Sequence, residues 1–182
     1  MVIGVLGGGL AYGAYIIFLL PGGLRAYLQK RTDFYQLYVY DVGEKFIDLN
    51  YRGLDGNTIL LSQYPHAVAL INFFVSSSSS SDSEAARLER ISEKYRERGL
   101  LVVAIDVNET RKLALAFRQR HHLNFPVMLV PDRIEGGFPI PFNLVIDQRG
   151  VVRFSGSGGQ PNDMENVIDD LLRGAPANKN GL

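Results

Sequence analysis

The chain contains no cysteine, which excludes structural disulfides and thiolate metal sites and leaves the redox compartment open, because such a chain tolerates either environment. Net charge is absent too. Nineteen Lys and Arg balance nineteen Asp and Glu, so no overall bias toward nucleic acid exists and nucleic acid is not an expected partner. Histidine is scarce: His66, His121 and His122 are the only three, and adjacent residues on a helix point to different faces. No metal site and no cofactor is expected from that pattern. A G-x-S-x-G elbow is also missing, and no histidine is placed by sequence to activate a serine, which sets a serine hydrolase aside. What is present is a chain of 182 residues, 46% hydrophobic and 21% charged. That suffices for one domain with a proper core plus an appendage, and it is not the composition of a disordered chain.

Residues 1–20 carry no charged side chain and then meet Pro21-Gly22-Gly23. About 20 apolar residues at helical rise cross a hydrocarbon core of roughly 30 Å, so a membrane span is feasible. Gly4 and Gly8, and Gly9 and Gly13, have the spacing that lets membrane helices approach closely, and Tyr12, Tyr15 and Tyr27 suit an interface. A cleaved signal peptide fits less well, since no basic residue precedes the apolar run and no small-residue cleavage site follows. A dinucleotide fingerprint fails where Tyr12 replaces the required Gly or Ala. Arg25, Lys30 and Arg31 follow the span, which by charge alone would hold the next domain cytoplasmic.

Residues 34–40 form an aromatic, β-prone stretch. Residues 46–49 and 58–61 flank Arg52-Gly53-Leu54-Asp55-Gly56-Asn57, whose Asp-Gly and Gly-Asn steps tolerate positive φ, so a β-hairpin is predicted to open the domain. The nearly all-apolar 67–74 predicts a central strand buried on both faces. A helix over 82–99 follows, with Leu88, Ile91 and Tyr95 inward and Gly99 as its stop. Residues 100–105 predict a second buried strand, and 109–122 a helix presenting Leu113, Phe117 and Ala116 to the core. Strands at 126–130 and 143–146 come next. Asp147-Gln148-Arg149-Gly150 turns the chain into an antiparallel strand at 151–154, a helix at 163–172 closes the domain, and 174–182 reads as a loose tail.

Six consecutive serines, 76–81, stand where the first strand gives way to the first helix. A strand running into a helix start collects unpaired N–H groups and the positive end of the helix dipole, which stabilises an anion or a thiolate. A serine hydroxyl cannot ionise there at neutral pH without a strong base.

From about residue 46 to 172 the sequence resembles the redoxin family, more closely its membrane-anchored TlpA/ResA-type thiol–disulfide oxidoreductases. The resemblance is carried by the opening Phe46-Ile47-Asp48-Leu49 with Leu54-Asp55-Gly56-Asn57, by Leu70-Ile71-Asn72-Phe73-Phe74, by Phe125-Pro126-Val127-Met128-Leu129, and by Ile140-Pro141-Phe142-Asn143-Leu144-Val145-Ile146-Asp147. It implies an α/β thioredoxin-like fold, a central mixed sheet flanked by helices, with an N-terminal β-hairpin extension and an N-terminal apolar helix. Counting on from Asn72 places the family's Cys-x-x-Cys at Ser78 and Ser81 and its acidic residue at Glu84. By resemblance, Ser78 holds the nucleophile position and Ser81 the resolving one, with Glu84 assisting proton transfer. Pro141 is the family's cis-proline, and Ile140 offers backbone to an extended client. The plainer reading of Pro141 is a proline starting an edge strand.

A hydroxyl cannot form the sulfur–sulfur bond of disulfide exchange, so no dithiol activity is expected of this chain. Engineered exchange of both cysteines and natural loss with the fold kept for binding stay equally open. With either, Ser81-x-x-Glu84 reads as a capping box worth about 1 kcal/mol, leaving Glu84 solvated. The expected organisation is an anchor and juxtamembrane segment (1–31), a connector (32–45), the thioredoxin-like domain (46–173) and a tail (174–182). The expected function is a redox-inactive domain of the oxidoreductase type, facing client protein or peptide disulfides. The alternative is a non-catalytic module holding a peptide in the cis-proline groove, and the third reading is a peroxiredoxin-like protein, weakened by a missing P-x-x-x-T-x-x-C. Membrane partnership comes through the N-terminal helix, and the family implies an extracytoplasmic side.

Overall fold

A computed structural model describes residues 40–47, 51–64, 67–107, 110–130, 140–157 and 161–174. The predicted N-terminal helix, the 34–39 stretch and most of the tail lie outside them. Among the described residues no helix is long and apolar enough to cross a membrane.

The apolar run predicted as a central strand is one: β2 (Val68–Phe74) is buried along its whole length. It pairs parallel with β3 (Leu100–Asp106), also buried throughout, and antiparallel with β5 (Phe142–Ile146). Pairing on both edges is why this strand reads as continuous hydrophobicity instead of alternation. The mixed sheet of six strands is completed by β1 (Arg52–Gly53), β4 (Val127–Leu129) and β6 (Val152–Ser157), in the order β1-β4-β3-β2-β5-β6.

Three helices connect or close it: α1 (Ser79–Tyr95), α2 (Arg111–Arg120) and α3 (Pro161–Arg173). Both crossovers, β2-α1-β3 and β3-α2-β4, join parallel neighbours and step outward in the same direction. Right-handed connections of that kind put both helices on one face. The core agrees, since Val68, Leu70, Leu100 and Val102 of the sheet cluster with Leu88 and Ile91 of α1, Phe117 of α2 and Ile168 of α3. The alternate residues Ile71, Phe73, Val103 and Leu144 are buried as well. Helix α1 ends in a short 3-10 turn at Arg96–Arg98, stopped by Gly99 at φ 95°, where a Cβ would be strained.

Three expectations are corrected. The opening hairpin forms its turn, with Asp55 Oδ1 accepting from the Asn57 amide at 3.0 Å and Arg52 bridging Thr58, but its second arm does not continue as a strand. The Phe46 amide donates to the Gly150 carbonyl and Lys45 bridges Val151, so the first arm covers the edge beside β6, while the second winds into a 3-10 turn at Leu61–Gln63. Open sheet edges seek such partners: residues 43–46 serve the edge of β6, and β1, in the turn itself, pairs with β4 at the other edge.

Helix α1 starts at Ser79, three residues before the predicted 82. On α2 the inward residues are Ala114 and Phe117, while Leu113 is 45% exposed and Ala116 is exposed too. Phe117 sets the phase: its ring lies 4.9 Å from Phe74 and 4.4 Å from His121, which turns the 114–117–121 side inward and leaves Leu113 outside.

Candidate functional site

The serine elbow lies at the C-terminal end of β2. A tight turn carries the chain from Val75 to Ser78, whose amide donates to the Val75 carbonyl at 2.9 Å, and the Ser76 amide donates to the buried Asp106 carboxylate at 3.2 Å. Ser78 has the extended conformation of an N-cap (φ −92°, ψ 132°) yet makes no side-chain capping bond. Its hydroxyl pairs with that of Ser80 at 2.8 Å. Ser80 reaches the opposite loop: its Oγ donates to the Ile140 carbonyl at 3.3 Å. The Ile140–Pro141 bond is cis, as the resemblance implied. Ser78 and Ile140 are therefore brought to one place, with Ser80, a residue the sequence did not single out, between them.

Ser81 and Glu84 do not form a capping box. Because α1 begins at Ser79, Ser81 already lies inside its first turn, 1% exposed, and its Oγ accepts from the Val75 amide at 3.3 Å. Glu84 falls on the same stripe as Leu88, Ile91 and Tyr95 and is only 6% exposed, where solvation was expected. A buried carboxylate needs partners. Arg87 Nη1 donates to both its oxygens, at 3.1 and 3.2 Å, and Asn143 Nδ2 donates to Oε1 at 2.9 Å. Asn143 Oδ1 in turn accepts from Asn72 Nδ2 at 2.9 Å, across the β2–β5 pair in which the two residues stand opposite. A continuous polar chain thus runs from the central strand, through β5, to the base of α1.

Arg87, Asn72 and Asn143 escaped the sequence reading, although a signal existed. An asparagine inside Val-Ala-Leu-Ile-Asn-Phe-Phe must be satisfied by something, and an arginine three residues after a glutamate on a helix can reach it.

Outside the elbow, Asp82 lies 2.7 Å from His121 Nε2 and accepts from Arg120 Nη2 at 2.8 Å. These contacts, that of His121 first, hold its carboxyl below the usual carboxylate range. Among the described residues no group of His, Asp and Glu could hold a metal ion. A cavity of about 270 Å³ opens at the other end of the sheet, between Ala69, Leu101, Ile146, Phe46 and Tyr64. None of the site residues named above lines it.

Chemically, the elbow offers hydroxyls and a helix start facing a loop carbonyl, and no atom that can exchange a disulfide. Residues 42–155 match the model of the AhpC/TSA family. The thiol-disulfide oxidoreductase ResA of Halalkalibacterium halodurans is 24% identical over 136 residues, which cover 72% of this chain and 77% of that protein. Among solved structures, the thioredoxin domain of a thiol-disulfide oxidoreductase from Bacteroides vulgatus superposes with a TM-score of 0.64 at 14% identity, over 72% of this chain and 98% of that one. A thioredoxin-family thiol:disulfide interchange protein from Chlorobium tepidum gives 0.63 at 20% identity, over 72% and 98%. These likenesses show a thioredoxin-like α/β fold.

Proposed function

The chain belongs to the AhpC/TSA family, and from that premise we propose that it is a ResA-like redoxin domain which binds client polypeptide without exchanging disulfides. The supporting observation is the joined elbow and loop, Ser80 Oγ to the Ile140 carbonyl, in a chain with no cysteine. Reducing a disulfide takes two electrons and two thiols, and serine supplies neither. What an elbow and a loop can still do is hold an extended segment by its main chain, with the backbone at Ile140 as one rail. In this reading Ser78 and Ser81 occupy the positions of the family's cysteines, Glu84 that of its acidic residue, and Ile140 and Pro141 contact the client.

The domain would span 46–173, opened by the 46–61 region, with 174–182 as a tail. Residues 1–31 would tether it to a membrane, extracytoplasmic as in its TlpA/ResA-type likeness, although Arg25, Lys30 and Arg31 pull toward the other side. A peroxiredoxin-like activity is disfavoured, because a peroxidatic thiol is required and no cysteine exists.

Insulin reduction tests the reading. The chain as it stands should be silent, and reduction by it would end the proposal. The Ser78→Cys/Ser81→Cys variant then separates two forms: activity marks an oxidoreductase scaffold that lacks only sulfur, and silence marks a dedicated binding module. Binding of a reduced, carboxymethylated protein should weaken in Ile140→Asp, which places a charge at the loop. Unchanged binding would move the client elsewhere.

A further inference from the structure

The charge balance of the whole chain hides a segregation. Residues 109–123, covering α2 and its approach, contain Arg111, Lys112, Arg118 and Arg120 against one acidic residue, Glu109. Acid collects instead on α3, with Asp163, Glu165, Asp169 and Asp170 against Arg173, and part of it is bound to α1 through Lys94–Glu165 and Arg98–Asp169. The outer face of α2 presents Arg111, Lys112, Leu113, Ala116, Gln119 and Arg120, all exposed. Two carboxylates among the described residues engage this helix: Asp82, bonded by Arg120, and Asp55, held mainly by Asn57 and drawn only slightly by Arg118. Neither takes Arg111 or Lys112, for which no ion pair occurs among the described residues. At one edge of that face, beside the buried Phe117, stands Leu113, 45% exposed.

We propose that this face of α2 docks on an anionic lipid surface. An exposed cationic face with a leucine at its margin matches what a bilayer interface offers, phosphate headgroups over acyl chains. No exposed aromatic interleaves the cations, as stacking on a nucleic acid would require. The inference draws on the proposed tether, which keeps the domain near a membrane where a modest patch is enough; one lipid-facing charge cluster alone gives weak, reversible contact.

The absence of cysteine makes the test clean, because Leu113→Cys creates a single labelling site in the full-length chain. With an environment-sensitive fluorophore there, phosphatidylcholine vesicles containing about 30% phosphatidylglycerol should produce a blue shift, and pure phosphatidylcholine vesicles should not. The shift should fall away at about 0.5 M salt. Arg111→Gln/Lys112→Gln should lower the docked-to-free ratio about thirtyfold, since each cation near such a surface contributes about a factor of five. Equal shifts on neutral and anionic vesicles, or indifference to the double variant, would overturn the proposal. So would a shift with polyaspartate and none with vesicles, which would assign the face to an acidic protein. The tether is read separately, by co-flotation with neutral vesicles: flotation without an anion-dependent shift retains the tether and rejects the patch, and the reverse result does the opposite.

Discussion

Replacing Arg87 by methionine removes the cation that balances Glu84 while keeping a side chain long enough to fill the space. Glu84 and Arg87 side chains are 7% and 10% exposed, so the carboxylate left behind cannot turn to water. Among the described residues one donor remains, Asn143 Nδ2 at 2.9 Å, whose amide is itself committed to Asn72 through its oxygen. Breaking a buried pair by removing one partner costs about 3–5 kcal/mol, because the other charge is stranded. For a domain of this size that lowers the melting temperature by roughly 10 °C. Glu84→Gln removes the charge that faces the guanidinium and should also destabilise, by less, because the new amide oxygen can still accept from Asn143 and Arg87. The double variant Glu84→Gln/Arg87→Met leaves no ion behind, and exchange of a whole buried pair for neutral groups is close to neutral. The singles should therefore sum to more than the double, by at least about 3 kcal/mol. Urea unfolding of the four proteins, followed by circular dichroism, measures each corner of the cycle. A loss below about 1 kcal/mol for Arg87→Met, or additive single effects, would refute a buried, mutually dependent pair.

Asp147 should contribute to the acid limb of stability. Burial disfavours its charge, yet the amides of Val151 and Arg149 and the guanidinium of Arg153 outweigh that and hold the carboxyl below its usual range. A depressed folded value means stability that is present above about pH 4 and is lost as pH falls through the folded value, so Asp147→Asn should flatten the low-pH part of a melting-temperature profile. An unchanged acid limb would show that the turn does not depend on the charge. Gly53→Ala should destabilise by about 1–3 kcal/mol, because a Cβ there would meet Asp55 Oδ1 at 2.7 Å and the Asn57 carbonyl at 2.9 Å. A wild-type melting temperature in that variant would mean the turn gives way freely. Ser80→Ala removes the hydroxyl that donates to the Ile140 carbonyl, so client binding should tighten about twofold to fivefold if a client competes for that acceptor, by titration calorimetry. Weaker binding would instead make Ser80 a client contact.

The order of elements could be read before any coordinates because its signals are local. Two largely apolar runs became β2 and β3, the Leu88–Ile91–Tyr95 stripe became the inner face of α1, Gly99 stopped that helix, and Asp147 to Gly150 turned β5 into β6. Periodicity and turn chemistry act within a few residues, so tertiary contacts had little to add there. The lack of sulfur was equally plain, and with it the exclusion of disulfide exchange.

Other features were decided only by packing. Where α1 begins could not be read from six identical residues, and a start at Ser79 converted Ser81 from an exposed cap into a buried acceptor and Glu84 from a solvated carboxylate into the centre of an ion pair. The phase of α2 depended on which aromatic ring met Phe74. The sequence by itself determined that this chain has a redoxin's strands and helices without a redoxin's thiols. Glu84 finds Arg87 only three positions away, but Asn143, which ties the pair to the sheet, is 59 positions from Glu84 and 71 from Asn72. Separations of that length carry no local periodicity, so it was the folded sheet that chose them.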